Sequence, residues 1–500
     1  MVGWYALLVL FAWLFSSSSM VHAQRLSHER VDTAPRLQYS RYDALLCNRQ
    51  GQAFVTGYNQ GPSDGFSHRL FTPALDTVWT HHRYSYAGWQ ELRQSLQGGY
   101  IGLGLIQNPP YAGAGSQSGQ DVLLEKIALN GRISWSRFFD FNRSPEFGVG
   151  LIELPNTHIL VTVGTGNVGR QQIYVLLTDS AGQEIRRVPY GWGGIEAMVH
   201  TQTSATGRIL AAGYTLSGAT PAQLKLLEFD RQGDSIRGRL LAPLGPGRDA
   251  RTADSRNSLL PLTDGGWLLT GYRDTTRLPD LPFVLRLDSL LQPQWTRLWQ
   301  PPTPQAWAYG GSCELRDGSV LVLARQTAPL TPSFALHRYS ATGQLTHIYP
   351  LTSAVAGTAV APYLLAPALD GRTLFVAGYS NPTLTSQQSY VATIDLQGLP
   401  GAVVLSSPVP APSSAPLVRL DLYPNPATAQ VTVRYSLPPG SAETTLCLYD
   451  ATGQLVRRLA LAGRGGEALL VLAGLRPGLY LAAMTAAGVP VATSKFFVTP

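Results

Sequence analysis

Aromatic side chains beside glycines are the residues of this sequence best suited to bind a ligand. Trp192 lies in the glycine-rich segment 191–194, and Trp307 and Tyr309 lie just before Gly310 and Gly311. We place both segments in connections between strands, where an exposed ring can stack on a sugar or contact a partner protein. Trp192, Trp307 and Tyr309 are therefore the predicted ligand contacts.

Carboxylates could support a second kind of chemistry, the hydrolysis of a glycosidic bond. Such an enzyme needs two Asp or Glu side chains placed on either side of the scissile bond. Asp and Glu total 31 and several occupy turns, which leaves Glu153, Glu196 and Glu314 as candidates. No further feature marks a site among them, so we predict no catalytic residue and no cofactor. An extracellular carbohydrate-active enzyme, a glycosidase or a lyase, remains the alternative.

Metal chemistry has little support in the sequence. His81 and His82 are adjacent on a predicted strand, so their side chains point to opposite faces. Asp230 and Asp234 bracket a turn, but a calcium loop needs more oxygen ligands. Three cysteines in distant segments do not make a disulfide framework. We predict no metal site, because no His, Cys or carboxylate group shows metal-ligand spacing.

Charge argues against nucleic acid as a partner. The formal net charge is +7, but the basic residues are scattered along the chain. Nucleic-acid binding requires a concentrated basic patch. The basic side chains are therefore predicted to be solvated surface.

A repeat fills the middle of the chain and must position the candidate residues. An apolar strand that ends at a small residue recurs at 53–57, 100–104, 159–164, 209–213, 267–271, 320–324 and 374–378. The last residues of these copies lie 47, 60, 49, 58, 53 and 54 residues apart, close to the ~50-residue period of some propeller repeats. We interpret this strand as the inner one of each repeat, with its small residue at the crowded centre.

Each copy is followed by a strand, a tight turn and another strand. The turns at 179–182, 230–233 and 340–343 start with Asp or Ser, which can cap the turn, and end with Gly, which supplies positive φ. The copies near Asp76 and Asp288 lack that Gly. Trp79, Trp135 and Trp295 all follow such a turn, and their recurrence favours packing over ligand binding.

Seven copies of both elements predict an all-β fold, a seven-bladed β-propeller whose closed ring leaves few strand edges. Six or eight blades and a linear β-solenoid stay open as alternatives. We expect residues 36–42 to contribute the strand that closes the ring.

The N-terminal residues are typical of an export signal. Residues 4–15 form an apolar stretch of 12 residues, too short for a membrane-spanning helix, which needs ~20. Small residues then precede a predicted cut between Ala23 and Gln24. No Lys or Arg precedes the apolar stretch, which departs from the usual pattern. We expect no membrane span in the mature chain.

Four motifs near the C-terminus occur in a fixed order. They are Tyr423-Pro424-Asn425-Pro426, the turn at 450–454, Gly478-Leu479-Tyr480, and Lys495 with the two phenylalanines after it. The segment from about 417 to 500 resembles the sorting domain of the bacterial type IX secretion system, a small Ig-like β-sandwich. The resemblance implies passage through the periplasm to the outer cell surface, interaction with the secretion machinery, and trimming or anchoring after export.

The sequence therefore predicts four segments: a signal peptide (1–23), a propeller-like repeat domain (24–406), a Pro/Ser/Ala linker (407–416) and a C-terminal sorting domain (417–500). The preferred function is non-catalytic binding of a polysaccharide or a surface protein. The alternatives are the carbohydrate-active enzyme named above and a purely structural surface component.

Overall fold

The computed structural model describes most of the chain between residues 24 and 499. The described residues are 24–32, 39–60, 65–83, 87–107, 120–141, 146–165, 172–190, 195–204, 206–216, 221–245, 248, 250–252, 258–273, 281–301, 307–326, 334–354, 359–383, 386–399, 419–423, 425–436, 444–450, 454–461, 465–486 and 489–499. They form β-strands and one short 3-10 helix at Leu396–Gly398. None of the described segments is a helix long and apolar enough to cross a membrane. The chain divides into two compact units, Met1–Val409 and Pro410–Pro500.

The first unit consists of short strands arranged in small sheets. Its described strands are β1 (Gln24–Arg25), β2 (His28–Val31), β3 (Tyr39–Ser40), β4 (Ala44–Cys47), β5 (Ala53–Gln60), β6 (Gly65–Phe71), β7 (Thr77–Arg83), β8 (Ala87–Gln94), β9 (Tyr100–Gln107), β10 (Gln120–Ile127), β11 (Ile133–Phe139), β12 (Glu146–Glu153), β13 (Ile159–Thr165), β14 (Gln172–Thr178), β15 (Glu184–Tyr190), β16 (Ile195–Thr203), β17 (Ile209–Leu216), β18 (Gln223–Phe229), β19 (Ser235–Leu241), β20 (Arg251–Thr252), β21 (Leu259–Pro261), β22 (Trp267–Arg273), β23 (Leu281–Leu287), β24 (Pro293–Leu298), β25 (Trp307–Glu314), β26 (Val320–Gln326), β27 (Phe334–Tyr339), β28 (Leu345–Thr352), β29 (Ala359–Pro367), β30 (Thr373–Thr383) and β31 (Ser386–Asp395).

Consecutive strands pair with each other in antiparallel order and form the sheets. We number them in chain order: sheet 1 (β4–β7), sheet 2 (β8–β11), sheet 3 (β12–β15), sheet 4 (β16–β19), sheet 5 (β20–β24), sheet 6 (β25–β28) and sheet 7 (β29–β31). Strand β3 joins sheets 7 and 1 into one continuous hydrogen-bonded sheet, and in sheet 5 both β20 and β21 pair with β22 and together take the place of its first strand. The first strand of each sheet contacts the first strand of the next, from β4 through β8, β12, β16, β21 and β25 to β29, and β29 in turn contacts β4. The described strands are thus an all-β arrangement of small sheets, consistent with a propeller-like fold.

The apolar strand of each repeat is the second strand of its sheet, so our placement of it as the innermost strand is wrong. Its small residue faces a bulge in the first strand. At Gly104, a Cβ atom would lie 1.7 Å from the Gly88 carbonyl oxygen, and at Gly378 one would lie 2.5 Å from that of Ala361. The pairing register shifts at these bulges, between Trp89 and Glu91 in sheet 2 for example. The small residue therefore makes room for bulged backbone and does not line the centre.

The tight turns between third and fourth strands confirm the predicted turn chemistry. The Asp179 carboxylate accepts hydrogen bonds from the backbone nitrogens of Ala181 and Gln183, at 2.9 and 2.8 Å. Gly182 takes φ +73° in that turn, and Gly343 takes +82° in the turn of sheet 6. In the two copies without Gly, Leu75 (φ 64°) and Leu291 (φ 61°) adopt the left-handed conformation.

Outer-strand tryptophans join one sheet to the next, which confirms that they pack. Trp79 Nε1 donates to the Leu129 carbonyl at 3.1 Å, in the tight turn of the following sheet. Trp295 Nε1 likewise donates a hydrogen bond to the Ala341 carbonyl at 2.9 Å, in the turn of sheet 6. The ring of Trp135 lies against Gly182 in the turn of sheet 3. Each ring thus covers a turn of the neighbouring sheet.

The N-terminal segment 24–32, here called the strap, ties three sheets together. Its strand β1 pairs in parallel with β28 of sheet 6, and β2 pairs antiparallel with β31 of sheet 7. Tyr42 at sheet 1 donates its hydroxyl to Asp32 at 2.7 Å. Of the predicted closing segment 36–42, Tyr39 and Ser40 form the two-residue strand β3, which pairs with β5 and β31. One edge of β31 pairs with β30, and on the other edge β2 supplies four residue pairs while β3 supplies one.

The second unit has its own core and two sheets. Its described strands are β32 (Arg419–Tyr423), β33 (Gln430–Ser436), β34 (Thr444–Tyr449), β35 (Leu455–Leu461), β36 (Gly465–Val471), β37 (Gly478–Ala486) and β38 (Val489–Val498). One sheet has the order β32-β33-β36 and the other β35-β34-β37-β38. Val431, Leu446, Met484 and Phe496 from both sheets meet in one buried cluster.

Candidate functional site

An aromatic cluster between sheets 5 and 6 contains two of the predicted ligand contacts. Trp307 and Tyr309 lie on strand β25 and not in a connection, so that part of the prediction is wrong. Trp307 is half-buried, while Tyr309 is only 2% exposed and packs in the core. Because the two residues are two positions apart on β25, their side chains lie on the same face of the strand, and both rings contact Trp299.

Hydrogen bonds and burial fix the inner part of this cluster. The Tyr309 hydroxyl lies 2.6 Å from the Tyr339 hydroxyl and 3.0 Å from His337 Nδ1. Burial raises the pKa of Tyr309 well above its usual range, raises that of Tyr339 to about 12 and lowers that of His337 to about 3. All three side chains are therefore neutral at physiological pH, and the cluster is a polar but uncharged floor.

Trp299 covers this floor on the solvent side. Its ring is 4.5 Å from the His337 ring, 5.2 Å from Trp307 in an edge-on contact and 6.4 Å from Tyr309 in a stacked one, measured between centroids. Trp299 is half-buried and follows the end of strand β24. The sequence analysis did not select Trp299, although its position next to Trp295 and Trp307 in the chain was a usable signal.

Two open grooves lie along strand β24, and Trp299 lines one of them. The first, the Trp299 groove, has a volume of about 570 Å³ and is lined by Arg297, Leu298, Trp299, Tyr339 and residues 343–346. The second, the Trp295 groove, has about 620 Å³ and is lined among others by Asp264, Arg286 and Trp295. Arg297 lines both, so the grooves adjoin along strand β24. Its guanidinium donates to the Gly343 carbonyl at 2.8 Å, which fixes it in place.

The candidate catalytic glutamates hold turns in place. Glu153 accepts a hydrogen bond from the Leu96 backbone nitrogen at 2.6 Å, and Glu314 accepts one from that of Thr263 at 2.7 Å. The side-chain oxygen of Gln94 accepts a hydrogen bond from the Arg49 backbone nitrogen at 2.7 Å. A polar side chain at the end of a first strand therefore holds a turn of the preceding sheet in several sheets. Burial raises the pKa of Glu314. The side chain of Glu196 lies outside the described residues.

Three other carboxylates meet where sheet 2 passes to sheet 3. Asp121, Asp140 and Glu146 each offer an oxygen within 4.8 Å of the other two. Asp121 and Glu146 are buried, at 1% and 0% exposure, and Asp140 is exposed. Burial raises the pKa of Glu146 to about 8, with the charges of Asp121 and Asp140 adding to the shift. We call this group the carboxylate cluster.

The sequence analysis predicted no metal site and missed the carboxylate cluster. Its members come from the start of β10, the end of β11 and the start of β12. Val122 pairs with Phe139, which places Asp121 opposite Asp140, while Glu146 arrives from the next sheet. No local spacing in the sequence reveals this meeting, because it depends on strand register and on the contact between sheets.

Some predicted positions fall outside the described residues. These are Trp192, Ala23 and Pro424. Gln24, on the other side of the predicted cut, is the first residue of strand β1.

The motif residues of the second unit lie on its strands and in the connection between β32 and β33. Asn425 accepts a hydrogen bond from the Phe497 backbone nitrogen at 2.9 Å and donates to the Lys495 carbonyl at 3.2 Å, so the first and last motifs are joined. Tyr480 stacks on Phe496, and Tyr423 donates to Glu467 at 2.6 Å. The remaining motif residues are Pro426, which is exposed and follows a cis peptide bond, Gly478 at the start of β37 and the exposed Lys495 on β38.

Comparison with known families identifies this tail. Residues 421–499 match the family described as the secretion system C-terminal sorting domain. The chain is accordingly a secreted or cell-surface protein, and its tail implies interaction with the secretion machinery. No curated protein matches the sequence.

Several solved structures resemble the chain at low sequence identity. The polysaccharide lyase Uly1 matches at 11% identity and a TM-score of 0.46, over 75% of this chain and 100% of the lyase. A polysaccharide lyase described as an ulvanlyase matches at 9% and 0.47, over 73% and 98%. Drosophila Plexin A, in complex with Semaphorin 1b, matches at 8% and 0.42, over 75% and 87%. We therefore argue the chemistry of the site from the residues of this chain alone.

Proposed function

We propose that this protein binds a polysaccharide at the cell surface or outside the cell, without cleaving it, in the Trp299 groove. The observation that carries the proposal is the half-buried Trp299 ring at the side of an open groove of about 570 Å³. Ligand pockets commonly have volumes of this order and combine aromatic side chains with a few polar groups. An open groove suits an internal segment of a long chain.

The groove offers a distinct contact to each part of a sugar. The face of Trp299 can stack on the apolar face of a pyranose ring. The side chains of Gln344 and Thr346 line the same groove and can bond to hydroxyl groups. Arg297 is already oriented by carbonyl groups, so it adds a fixed donor at little entropic cost.

Trp307 and Tyr309 support the groove in this proposal. Trp307 meets the Trp299 ring edge-on, and Tyr309 lies below it, so both define the position of the stacking surface. Trp192 remains a proposed second contact, on a different segment of the chain.

The proposed scaffold is a seven-bladed β-propeller in which each numbered sheet is one blade. The contact of β29 with β4 supports a closed ring, and β2 supplies the fourth strand of the last blade. We propose residues 24–406 for this domain, 1–23 for a signal peptide cut between Ala23 and Gln24, and 407–416 for the linker. The tail from 417 to 500 would be an Ig-like sandwich.

A catalytic function receives less support from the same residues. Glu153 and Glu314 accept backbone hydrogen bonds that hold neighbouring turns, which accounts for their positions without a substrate. A glycosidase needs two carboxyl groups that face one bond across a substrate. We therefore favour binding without cleavage.

Binding of the mature chain, residues 24–500, to a broad glycan array tests the proposal, with the flow-through analysed for released sugars. We expect binding to a defined set of polysaccharides and no cleavage. The Trp299→Ala variant should bind at least about tenfold more weakly, because an aromatic anchor at the centre of a site contributes about 2 kcal/mol or more.

Trp135→Ala is the matched control, since Trp135 lies on an outer strand of sheet 2, remote in sequence from the Trp299 groove. It should leave glycan affinity unchanged. Released sugars would contradict binding without cleavage. Equal affinity of the Trp299→Ala variant and the wild type would place the binding site elsewhere.

A further inference from the structure

The carboxylate cluster contains a buried carboxylate oxygen that has no hydrogen-bond partner. Glu146 is fully buried, and its Oε1 accepts a hydrogen bond from the Phe141 backbone nitrogen at 3.0 Å. Its Oε2 is also buried and has no hydrogen-bond partner. A buried carboxylate oxygen without a partner is costly, because it has lost its water and gained nothing in return.

Glu146 also lies close to two other carboxylates. One of its oxygens lies within 4.8 Å of an oxygen of both Asp121 and Asp140. Three ionised carboxylates this close repel one another, and either protonation of one of them or a bound cation relieves the repulsion. The clustering and the unsatisfied Oε2 are separate observations, and both indicate a cation.

We propose that Asp121, Asp140 and Glu146 bind a divalent calcium ion. Carboxylate oxygens are hard ligands, which favour calcium, magnesium or manganese over zinc or copper. Calcium accepts oxygens at about 2.3–2.6 Å in flexible geometry, whereas magnesium requires about 2.0–2.1 Å and near-octahedral order. Oxygens separated by up to 4.8 Å can surround the larger ion with less movement.

The exposure of the three residues fits this ion. Asp121 and Glu146 would hold it from the protein side, and the exposed Asp140 leaves a solvent side where water can complete the coordination.

The position of the ion gives it a structural role. Asp121 lies on the third strand of sheet 2, Asp140 directly follows the fourth strand, and Glu146 begins the first strand of sheet 3. Calcium would therefore link two neighbouring sheets at the point where the chain passes between them. The site is separate from the Trp299 groove, which lies on sheets 5 and 6.

Calorimetric titration of the chelator-treated full-length protein with calcium chloride alone tests the site. We expect saturable binding of a single ion with a Kd at or below about 1 mM, the weak limit of extracellular calcium modules. Thermal unfolding should shift to higher temperature by several degrees at saturating calcium, because a ligand that binds the folded state stabilises it.

Glu146→Gln keeps the shape of the side chain and removes its charge, and Asp140→Asn does the same at an exposed position where folding is not at risk. Both variants should lose at least tenfold in calcium affinity and lose the thermal shift. Asp76→Asn, an exposed carboxylate on sheet 1, is the control and should bind like the wild type.

Three results would overturn the proposal. They are the absence of binding with about 1 mM calcium, undiminished binding by both cluster variants, and equal or tighter binding of magnesium. Circular dichroism of each variant shows whether a lost affinity reflects the lost ligand or an unfolded protein. The Asp140→Asn variant keeps the test decisive if Glu146→Gln does not fold.

Discussion

At the scale of single residues, positive φ angles at the tight turns decide which side chains the fold accepts. The turn glycines avoid the strain of a positive φ angle and also make room for a neighbouring ring, because the tryptophan of the preceding sheet lies directly against several of them. A Cβ atom at Gly343 would lie 2.5 Å from the Trp295 ring, and one at Gly182 would lie 2.7 Å from that of Trp135. Backbone conformation and packing between sheets are therefore satisfied by the same residue.

Gly343→Ala should destabilise the first unit by about 2–4 kcal/mol, because it adds left-handed backbone strain of about 1–2 kcal/mol to an overpacking cost of similar size. Gly51→Ala isolates the first term, since Gly51 has φ +74° and no atom within 4 Å of an added Cβ. Urea unfolding of both variants measures the difference. Equal destabilisation would show that the Trp295 ring moves aside freely.

Two leucines occupy turn positions for which the sequence pattern predicts glycine. The missing glycine at the Asp76 and Asp288 turns suggested two irregular copies, yet Leu75 and Leu291 adopt the same left-handed conformation. Both side chains are buried, at 4% and 0% exposure. Burial of a large apolar side chain contributes about 1.5–3 kcal/mol and offsets the backbone strain. The free energy of this burial depends on the surrounding core, so it cannot be predicted from the turn residues alone.

At the scale of elements, the strands and turns followed from local patterns, but strand order and the carboxylate cluster did not. An apolar run with a small end residue marks a strand covered on both faces, and the second strand of a sheet meets that description as well as the first. The small residue makes room for a bulge in the neighbouring strand, so it does not identify the apolar strand as the first strand of its sheet. Likewise, Asp121 and Glu146 are brought together by contacts between sheets, which sequence spacing does not record.

The strap joins the first and last sheets of the first unit. Residues 28–31 pair with β31, and Glu29 accepts a hydrogen bond from Tyr390 at 2.6 Å and one from the backbone of Ala354 at 2.5 Å. Asp32 pairs with Arg69 of sheet 1. One segment near the N-terminus thus contacts sheets 6, 7 and 1, where the first and last repeats meet.

Deletion of residues 24–32 should lower the unfolding midpoint of the first unit and speed hydrogen exchange in β31. The reason is that the deletion leaves an open strand edge and exposes Tyr390, which is fully buried in the intact protein. Hydrogen exchange followed by mass spectrometry measures the effect. Deletion of residues 24–26 alone removes β1 and keeps β2, so it should have a smaller effect on β31. Unchanged exchange in the longer deletion would mean that the sheets close without the strap.

At the scale of the whole molecule, the two units differ in how they respond to acid. His68 and His337 are buried in the first unit, and burial lowers the pKa of each to about 3. Positive charge on Arg83, His81 and His82 adds to the shift at His68. One nitrogen of each ring already has a partner, and the other, Nε2, has none. Protonation would therefore place an unpaired N–H and a charge in the core. The second unit contains no histidine between residues 410 and 500.

The mature chain should unfold in two transitions, and only the transition of the first unit should weaken between pH 6.5 and pH 5. In this range the unfolded chain binds protons at both histidines, whose usual pKa is about 6.5, while the folded unit does not, so both histidines make its stability fall as the pH falls. Glu146, whose pKa is raised to about 8 in the folded unit, holds a proton that the unfolded chain releases and opposes this effect. The slope is therefore measured in the Glu146→Gln background, where the histidine contribution stands alone. The slope is at most about 1.4 kcal/mol per pH unit for each histidine. Differential scanning calorimetry at several pH values measures it, and His337→Gln should reduce the slope by up to about half. A parallel loss in the second transition, or an unchanged slope in the variant, would assign the acid response to other groups.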